Sequence, residues 1–305
     1  MNKKAILYYF SGTGNTRLCA QYIAKYLRLK DFDVDLYEYK APNTNVPDPN
    51  NYEYVGVGFP IHAFNPPKAF YDFCKRLPKV NNNQKLFFFR CSGEPYHFND
   101  AAAAKIHKRL KKKGFNLIMD KHFILPYNIM FRYKDEVCKQ QYLYCEPLCE
   151  LMATRLANGE VDKIKYKIRH KILSFFFRIE WIAPGLNSMC FAGANKNCID
   201  CGRCIAACPN QAIYKNKKGK IKINTHCTMC MRCTMYCPEN AIRFGFMNSW
   251  KVNGPYPLKK IASDFTIEDN YINPHTKGYF KLFYPYFKKA DEDLAKYGIS
   301  IKRNN

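Results

Sequence analysis

Short apolar runs alternate with helix-spaced patterns through the first part of the chain. Residues 3–10 (KKAILYYF) are apolar, short and cut off by a Ser/Gly turn, the pattern of a strand buried on both faces. Leu18, Tyr22, Ile23, Tyr26 and Leu27 follow at helical spacing. Residues 34–39 alternate as a second strand. Residues 54–59 (YVGVGF) and 85–91 (KLFFFRC) read as a third and a fourth, and 117–125 contains a fifth. Asn99 or Asp100 is placed to cap a helix over 101–113, with lysines in its last turn and Gly114 just past its end. Repeated strand–helix units predict an α/β doubly wound parallel sheet. Ligands of such sheets sit beyond the carboxyl ends of the strands.

Further on the patterns change. Ile164, Ile168, Ile172, Phe175 and Ile179 recur at helical spacing, and six Lys/Arg lie between 163 and 178 with no acidic residue among them. Two readings fit. The favoured one is an interdomain helix that docks its apolar face on a domain. The other is an interfacial helix drawn to anionic lipid, giving peripheral membrane contact through 163–182. From 248 onward the chain is rich in Tyr, Phe and Lys and broken by Pro255, Pro257, Pro274 and Pro285, which rules out one long helix. Its aromatics predict that it packs back over a domain. The expected organisation is thus a first domain over 1–160, a basic interdomain helix or linker over 161–190, a small domain over 191–247 and an aromatic, basic extension over 248–305.

Composition adds one sharp local feature. The chain has 305 residues and 15 cysteines, eight of them between Cys198 and Cys237. The first run is Cys198, Cys201, Cys204 and Cys208-Pro209; the second is Cys227, Cys230, Cys233 and Cys237-Pro238. Both have the C-x2-C-x2-C-x3-C-P spacing of bacterial two-cluster ferredoxins, in which the fourth cysteine ligates the other cluster. Three thiolates in close succession wrap three iron corners of a cubane, and the chain then turns away at Cys-Pro. One [4Fe–4S] cluster is therefore assigned to Cys198, Cys201, Cys204 and Cys237, the other to Cys227, Cys230, Cys233 and Cys208. Asn210-Gln211-Ala212-Ile213 and Glu239-Asn240-Ala241-Ile242 repeat after each run, which implies pseudo-two-fold symmetry. Zinc sites normally use two separated C-x2-C pairs, so the spacing argues against zinc. A small α+β domain of the bacterial 2[4Fe–4S] ferredoxin kind is expected.

The first strand runs into Ser11-Gly12-Thr13-Gly14-Asn15-Thr16 and then a helix, which is an anion site built of hydroxyls and backbone N–H groups. It lacks the lysine of a Walker loop and the G-x-G-x-x-G fingerprint. Such a loop suits an enclosed monophosphate such as that of FMN. Two more loops share the same sheet edge: Pro60-Ile61-His62-Ala63-Phe64-Asn65-Pro66-Pro67 and Cys91-Ser92-Gly93-Glu94-Pro95-Tyr96. They are candidates to flank an isoalloxazine, with Phe64 or Tyr96 stacking on it. The Ser-Gly-Thr-Gly-Asn-Thr loop resembles that of flavodoxins. Its fusion to two ferredoxin runs resembles a family of flavodoxin-like/ferredoxin fusion proteins of anaerobic bacteria and archaea, the EFR-type ferredoxins. The second and third loops are also similar to that family. The resemblance implies electron transfer with FMN and two clusters, and leaves donor and acceptor open.

His62 is a candidate to protonate or hydrogen-bond a reduced flavin, against a plain loop histidine. Cys91 reads better as a small apolar strand-end residue than as a redox group. Cys145 and Cys149 lie four apart on one helix face, and the seven cysteines outside the two runs read as buried thiols. The formal charge is +24. Clusters and FMN phosphate each offset about −2, so the loaded protein stays positive and attracts anionic partners. A redox protein with an acidic surface is the expected partner, and no nucleic-acid binding is expected because no base-reading motif is present. The basic start Met1-Asn2-Lys3-Lys4 precedes an apolar run too short for a secretory leader, and a cytoplasmic location is expected, where grouped cysteines hold metal. The leading function is a link between two-electron flavin chemistry and one-electron ferredoxin chemistry. Its rivals are a flavin-dependent reductase of a small acceptor (a quinone or nitro compound) and an iron–sulfur module that binds nucleic acid or senses.

Overall fold

The computed structural model describes residues 3–303 apart from Thr44 and Asn82. Met1 and Asn2 of the basic start, and the last two residues of the predicted extension, lie outside the described residues. Five strands, β1 (Lys3–Tyr9), β2 (Phe32–Glu38), β3 (Tyr54–Pro60), β4 (Lys85–Ser92) and β5 (Asn116–Ile124), form one parallel sheet in the order β2-β1-β3-β4-β5. Alternation along β1 explains the two cores. Ala5, Leu7 and Tyr9 face α1 (Asn15–Arg28), while Ile6 and Tyr8 face the layer of α2 (Lys68–Arg76) and α3 (Ala104–Lys111). Gly56 and Gly58 of β3 sit beside Phe87 and Phe89 of β4, and a Cβ at Gly58 would meet the Phe89 ring at 2.0 Å. The glycines make room for neighbouring aromatics.

Regular helix begins at Ala104, after a 3-10 turn over His97–Ala103, and not at 101. Arg90 accounts for the difference. Its buried guanidinium takes the Asn99 carbonyl at 2.6 Å and pairs with Asp120 at 2.7 Å, pinning the segment where the predicted cap would stand. Tyr166 donates to the other Asp120 oxygen at 2.9 Å.

On the α1 side the long helix α4 (Asp135–Ala157) has polar residues that are buried. Lys139 donates to the Asp264 and Ile267 carbonyls, each at 2.7 Å, and Gln140 pairs with the Ile272 N–H and carbonyl. Those partners belong to the C-terminal extension, whose Ile261, Ile272, Phe283, Phe287 and Leu294 complete the same core.

The segment expected to dock an apolar face does the reverse. In α5 (Ile168–Phe176) the docked residues are His170 and Ser174: Ser174 exchanges hydrogen bonds with Asn65, and His170 lies edge-on to Phe98. Trp181 adds a stack on Tyr71 and a bond to the Pro66 carbonyl. Ile168, Ile172, Phe175 and Ile179 are left exposed. The docking point favours a small polar residue: the Asn65 side chain pairs with both the hydroxyl and the carbonyl of Ser174, which a branched apolar side chain there would not match.

The cysteine-rich part follows α6 (Ala183–Phe191). Strands β6 (Ala192–Ala194), β7 (Ile213–Lys215), β8 (Ile221–Ile223) and β9 (Ile242–Phe244) form a small sheet in the order β7-β8-β6-β9, with short helices α7 (Arg203–Ala207) and α8 (Arg232–Met235) each carrying the third cysteine of its run. The repeated Ala212-Ile213 and Ala241-Ile242 are all buried. The chain closes with α9 (Leu258–Ser263) and α10 (Tyr284–Ala295), both in the extension. No helix among the described residues is long and apolar enough to cross a membrane.

Asp120→Ala leaves the Arg90 guanidinium buried without its counter-charge. It should lower unfolding stability by about 3–5 kcal/mol, read as a shift of the urea midpoint. A shift within error of zero would mean that the pair contributes nothing.

Candidate functional site

Each cysteine run must turn sharply to bring three sulfurs to one side, and both do so with left-handed residues at matching places. These are Asp200 and Gly202 (φ 58° and 69°) in the first run and Met229 and Met231 (46° and 60°) in the second. Gln211 and Asn240 repeat the match after each Cys-Pro, at 51° and 47°. A left-handed methionine costs about 1–3 kcal/mol, so the loop shape is imposed by its surroundings. The first run's Cys198, Cys201 and Cys204 line one cavity with Cys237 of the second. Cys208 interacts in turn with Cys227, Cys230 and Cys233. The Ala212 N–H donates to Cys208 Sγ at 3.3 Å, and the Ala241 N–H to Cys237 Sγ at 3.2 Å. Such N–H···S bonds stabilise negative charge on sulfur and tune a cluster's potential.

The two sulfur sets differ in access. Cys198 and Cys201 are exposed, whereas Cys227, Cys230 and Cys233 are half-buried. Burial pushes the Cys230 thiol up to about 12 and the Cys233 thiol well above its ordinary value. These sulfurs hold charge only opposite a bound cation.

The second run is seated on the first domain's Ser/Gly/Thr loop. Arg232, in α8, donates to the Ser11 and Gly12 carbonyls, to the Ala207 carbonyl and to the Glu38 carboxylate. Tyr236 donates to the Thr13 carbonyl at 2.7 Å. The approach is close enough to require glycine: a Cβ at Gly12 would lie 2.4 Å from the Cys230 carbonyl oxygen. Arg17 shares Glu38 through two bonds of 2.9 and 2.7 Å.

Within the loop, the Ser11 hydroxyl accepts from the N–H groups of Gly14 and Arg17, each at 3.2 Å, and so holds the turn into α1. Asn15 reaches the Pro126 carbonyl. Thr13 Oγ1 and Thr16 Oγ1 are buried and lack a protein partner. Two orphaned hydroxyls at a helix N-terminus are the donors a phosphate would take up. The residues fit the phosphate of FMN.

The second loop turns at His62-Ala63-Phe64-Asn65, closed by two backbone bonds of 2.8 Å between His62 and Asn65. Ala63 and Phe64 have φ of 39° and 62°, positions that tight hairpins usually give to Asn and Gly. Asn65 holds the strain by donating to the Ala63 and Ser174 carbonyls, each at 2.9 Å. Phe64 packs edge-on against Phe98 and Phe177. His62 is held by the Thr228 backbone of the second cysteine run, and burial lowers its pKa to about 4, so it is neutral at pH 7. The Ile61 N–H donates to the Cys91 carbonyl at 2.7 Å, joining Pro60-Ile61 to the third loop.

In that third loop Ser92 bonds the Glu94 carbonyl and His122 Nε2. A Cβ at Gly93 would meet the Tyr127 ring at 2.7 Å, and Tyr133 donates to the Gly93 carbonyl at 3.1 Å. Glu94 accepts from Tyr279 of the C-terminal extension, and Tyr96 is half-buried beside it. Cys91 turns its sulfur away from the loop, 3.6 Å from Cys19 Sγ. The sulfurs of Cys19, Cys145 and Cys149 lie within 4.8 Å of one another in the apolar core under the sheet. Their sequence separation hid that convergence. Arg232, Tyr236, Ser174, Tyr127 and Tyr279 also escape sequence reasoning. Only Tyr127 carried a signal, since it lies just past the carboxyl end of the fifth strand.

Comparison with known proteins agrees with this division. Residues 6–125 match the family model of the flavodoxin domain, and residues 197–242 match that of the 4Fe-4S dicluster domain. No curated protein matches the chain. Among solved structures, a flavodoxin from the domain Archaea is 17% identical over 50% of this chain and 98% of its own, with a TM-score of 0.34. Flavodoxin 1 from Bacillus cereus is 15% identical over 51% and 98%, with a TM-score of 0.36. The Streptococcus pneumoniae TIGR4 flavodoxin is 18% identical over 51% and 99%, with a TM-score of 0.36. The chain therefore joins a flavodoxin-like domain to a 4Fe-4S ferredoxin-type domain.

Arg232→Ala removes charge-assisted bonds at a mostly buried contact. It should cost about 1.5–3 kcal/mol, and Gly12→Ala should destabilise in the same direction by prying the second run off the loop. Thermal unfolding of both variants measures this, and an unchanged midpoint in each would show that the contact is loose.

Proposed function

We propose that the chain is an electron-transfer protein that carries FMN and two [4Fe–4S] clusters, of the EFR-type fusion kind. The observation that carries the proposal is the seating of Cys230 and Arg232 directly on the Ser11-to-Thr16 loop. Bound FMN supplies uptake of two electrons and release of one at a time, and each cluster supplies a one-electron site. Holding both kinds of group in one chain replaces a bimolecular encounter by a fixed one.

The residues divide the work. Thr13 and Thr16 hydroxyls, with the N–H groups opening α1, hold the phosphate. Pro60, Ile61, His62, Ala63 and Phe64 on one side, and Ser92, Gly93, Glu94 and Tyr96 on the other, frame the ring. A neutral His62 can accept or donate one hydrogen bond and does not add a positive charge. Cys198, Cys201, Cys204 and Cys237 hold one cluster; Cys227, Cys230, Cys233 and Cys208 hold the other. The inner sulfur set faces the flavodoxin-like domain, and the outer set, with exposed Ile199 at its rim, supports exchange with a redox protein of acidic surface. The prevailing positive charge of the chain favours that partner.

Anaerobically purified protein should contain about eight iron, about eight acid-labile sulfides and about one FMN per chain. Zinc with no sulfide would end the proposal. Thr13→Ala/Thr16→Ala should lose FMN on gel filtration while keeping its iron. Cys230→Ser should lose about half the iron and keep FMN. Loss of both groups together from each variant would show that the two sites are not separate.

A further inference from the structure

The structure assigns a second role to the face that α5 turns away from the protein: we propose that it docks on the surface of an anionic lipid bilayer. Ile168, Ile172, Phe175, Phe176, Ile179 and Ile182 are 51–74% exposed. The four within α5 stand at i, i+4, i+7 and i+8, on one side of the helix, opposite the docked His170 and Ser174. Leu186, Met189 and Phe191 of α6 are exposed as well, and Phe191 meets exposed Phe246 at 5.9 Å. Scattered apolar side chains need no explanation, but a continuous face of this kind does.

Charge says what covers it. Between 163 and 191 Glu180 is the single acidic residue. Burial raises it to about 9, so it is neutral at pH 7. Beside the apolar face, a cleft of about 660 Å³ between α3 and α5 is lined by Lys108, Arg109, Lys111, Lys112, Lys171 and Arg178 with no carboxylate. Crowding by Lys111, Lys163 and Lys171 adds to burial in lowering the pKa of His107 in that cleft. An apolar stripe with a cationic flank is the pattern of a helix lying in the headgroup region, apolar side down and cations toward lipid phosphates. A second copy of the chain fits worse, because a two-fold contact would bring two cationic faces together. Nucleic acid gives the isoleucines and phenylalanines nothing to bury against. The role does not depend on which cofactors the chain carries.

The test is co-sedimentation of the loaded protein with vesicles of phosphatidylcholine alone or with about one-third phosphatidylglycerol. Binding to the anionic vesicles, weakened by salt and at least tenfold weaker on neutral ones, is the expected result. Phe176→Ser/Ile179→Ser should cut the partition at least tenfold, with iron content and thermal midpoint unchanged because both side chains are mostly exposed. Lys108→Gln, Lys111→Gln and Lys112→Gln should each cut it about fivefold. Equal binding to both vesicle types, or none to either, overturns the proposal. So does a stable dimer in sedimentation velocity that the Phe176→Ser/Ile179→Ser variant dissolves.

Discussion

One guanidinium holds the flavodoxin-like and ferredoxin-type domains in register. Arg232 projects from the short helix within the second cysteine run and meets the Ser11 and Gly12 carbonyls, the Ala207 carbonyl and the Glu38 carboxylate. A planar fork with five fixed donors can satisfy that many acceptors at once; a lysine ammonium cannot. The bonds fall on the backbone of the Ser/Gly/Thr loop, so they fix the shape of the loop as well as the position of the module. Gly12 follows from the same contact. So does the mostly uncharged character of the loop, because the cation is supplied from the other domain and already partnered.

The remaining supports act outward from that point. Asn65 holds a strained turn and is itself held by Ser174 of α5, so the segment between the domains braces the second loop. Tyr279 reaches Glu94 in the third loop from the C-terminal extension, and Lys139 and Gln140 anchor that extension to α4. Each of the three loops at the sheet edge is thus contacted by a later part of the chain. This explains why a flavodoxin-like domain carries buried polar residues on helices that would otherwise face water.

The strands and the cysteine runs were legible because their signals are local. An apolar run cut by glycine reads as a buried strand, and C-x2-C-x2-C-x3-C-P reads as a cluster loop, without knowledge of anything distant. The turn from β1 into α1 across Ser11 to Asn15 was legible for the same reason. Arg232 was not: it stands among cysteines, and its partners lie 220 and 221 residues away. The start of α3 was misread because Arg90 takes the Asn99 carbonyl across the sheet edge. In α5, periodicity correctly grouped Ile168, Ile172 and Phe175 on one face, but periodicity does not say which face the rest of the protein will cover. The convergence of Cys19, Cys145 and Cys149 likewise depends on how α4 crosses α1.

The central claim is that both redox sites are held together within one chain by the Arg232 contact. Rapid-reaction spectroscopy of the loaded protein tests it most directly, by following the redistribution of a substoichiometric electron between flavin and iron–sulfur absorbance. A first-order rate that is unchanged on dilution is the predicted result. A rate that falls in proportion to protein concentration would mean that electrons pass between chains, and would contradict the account.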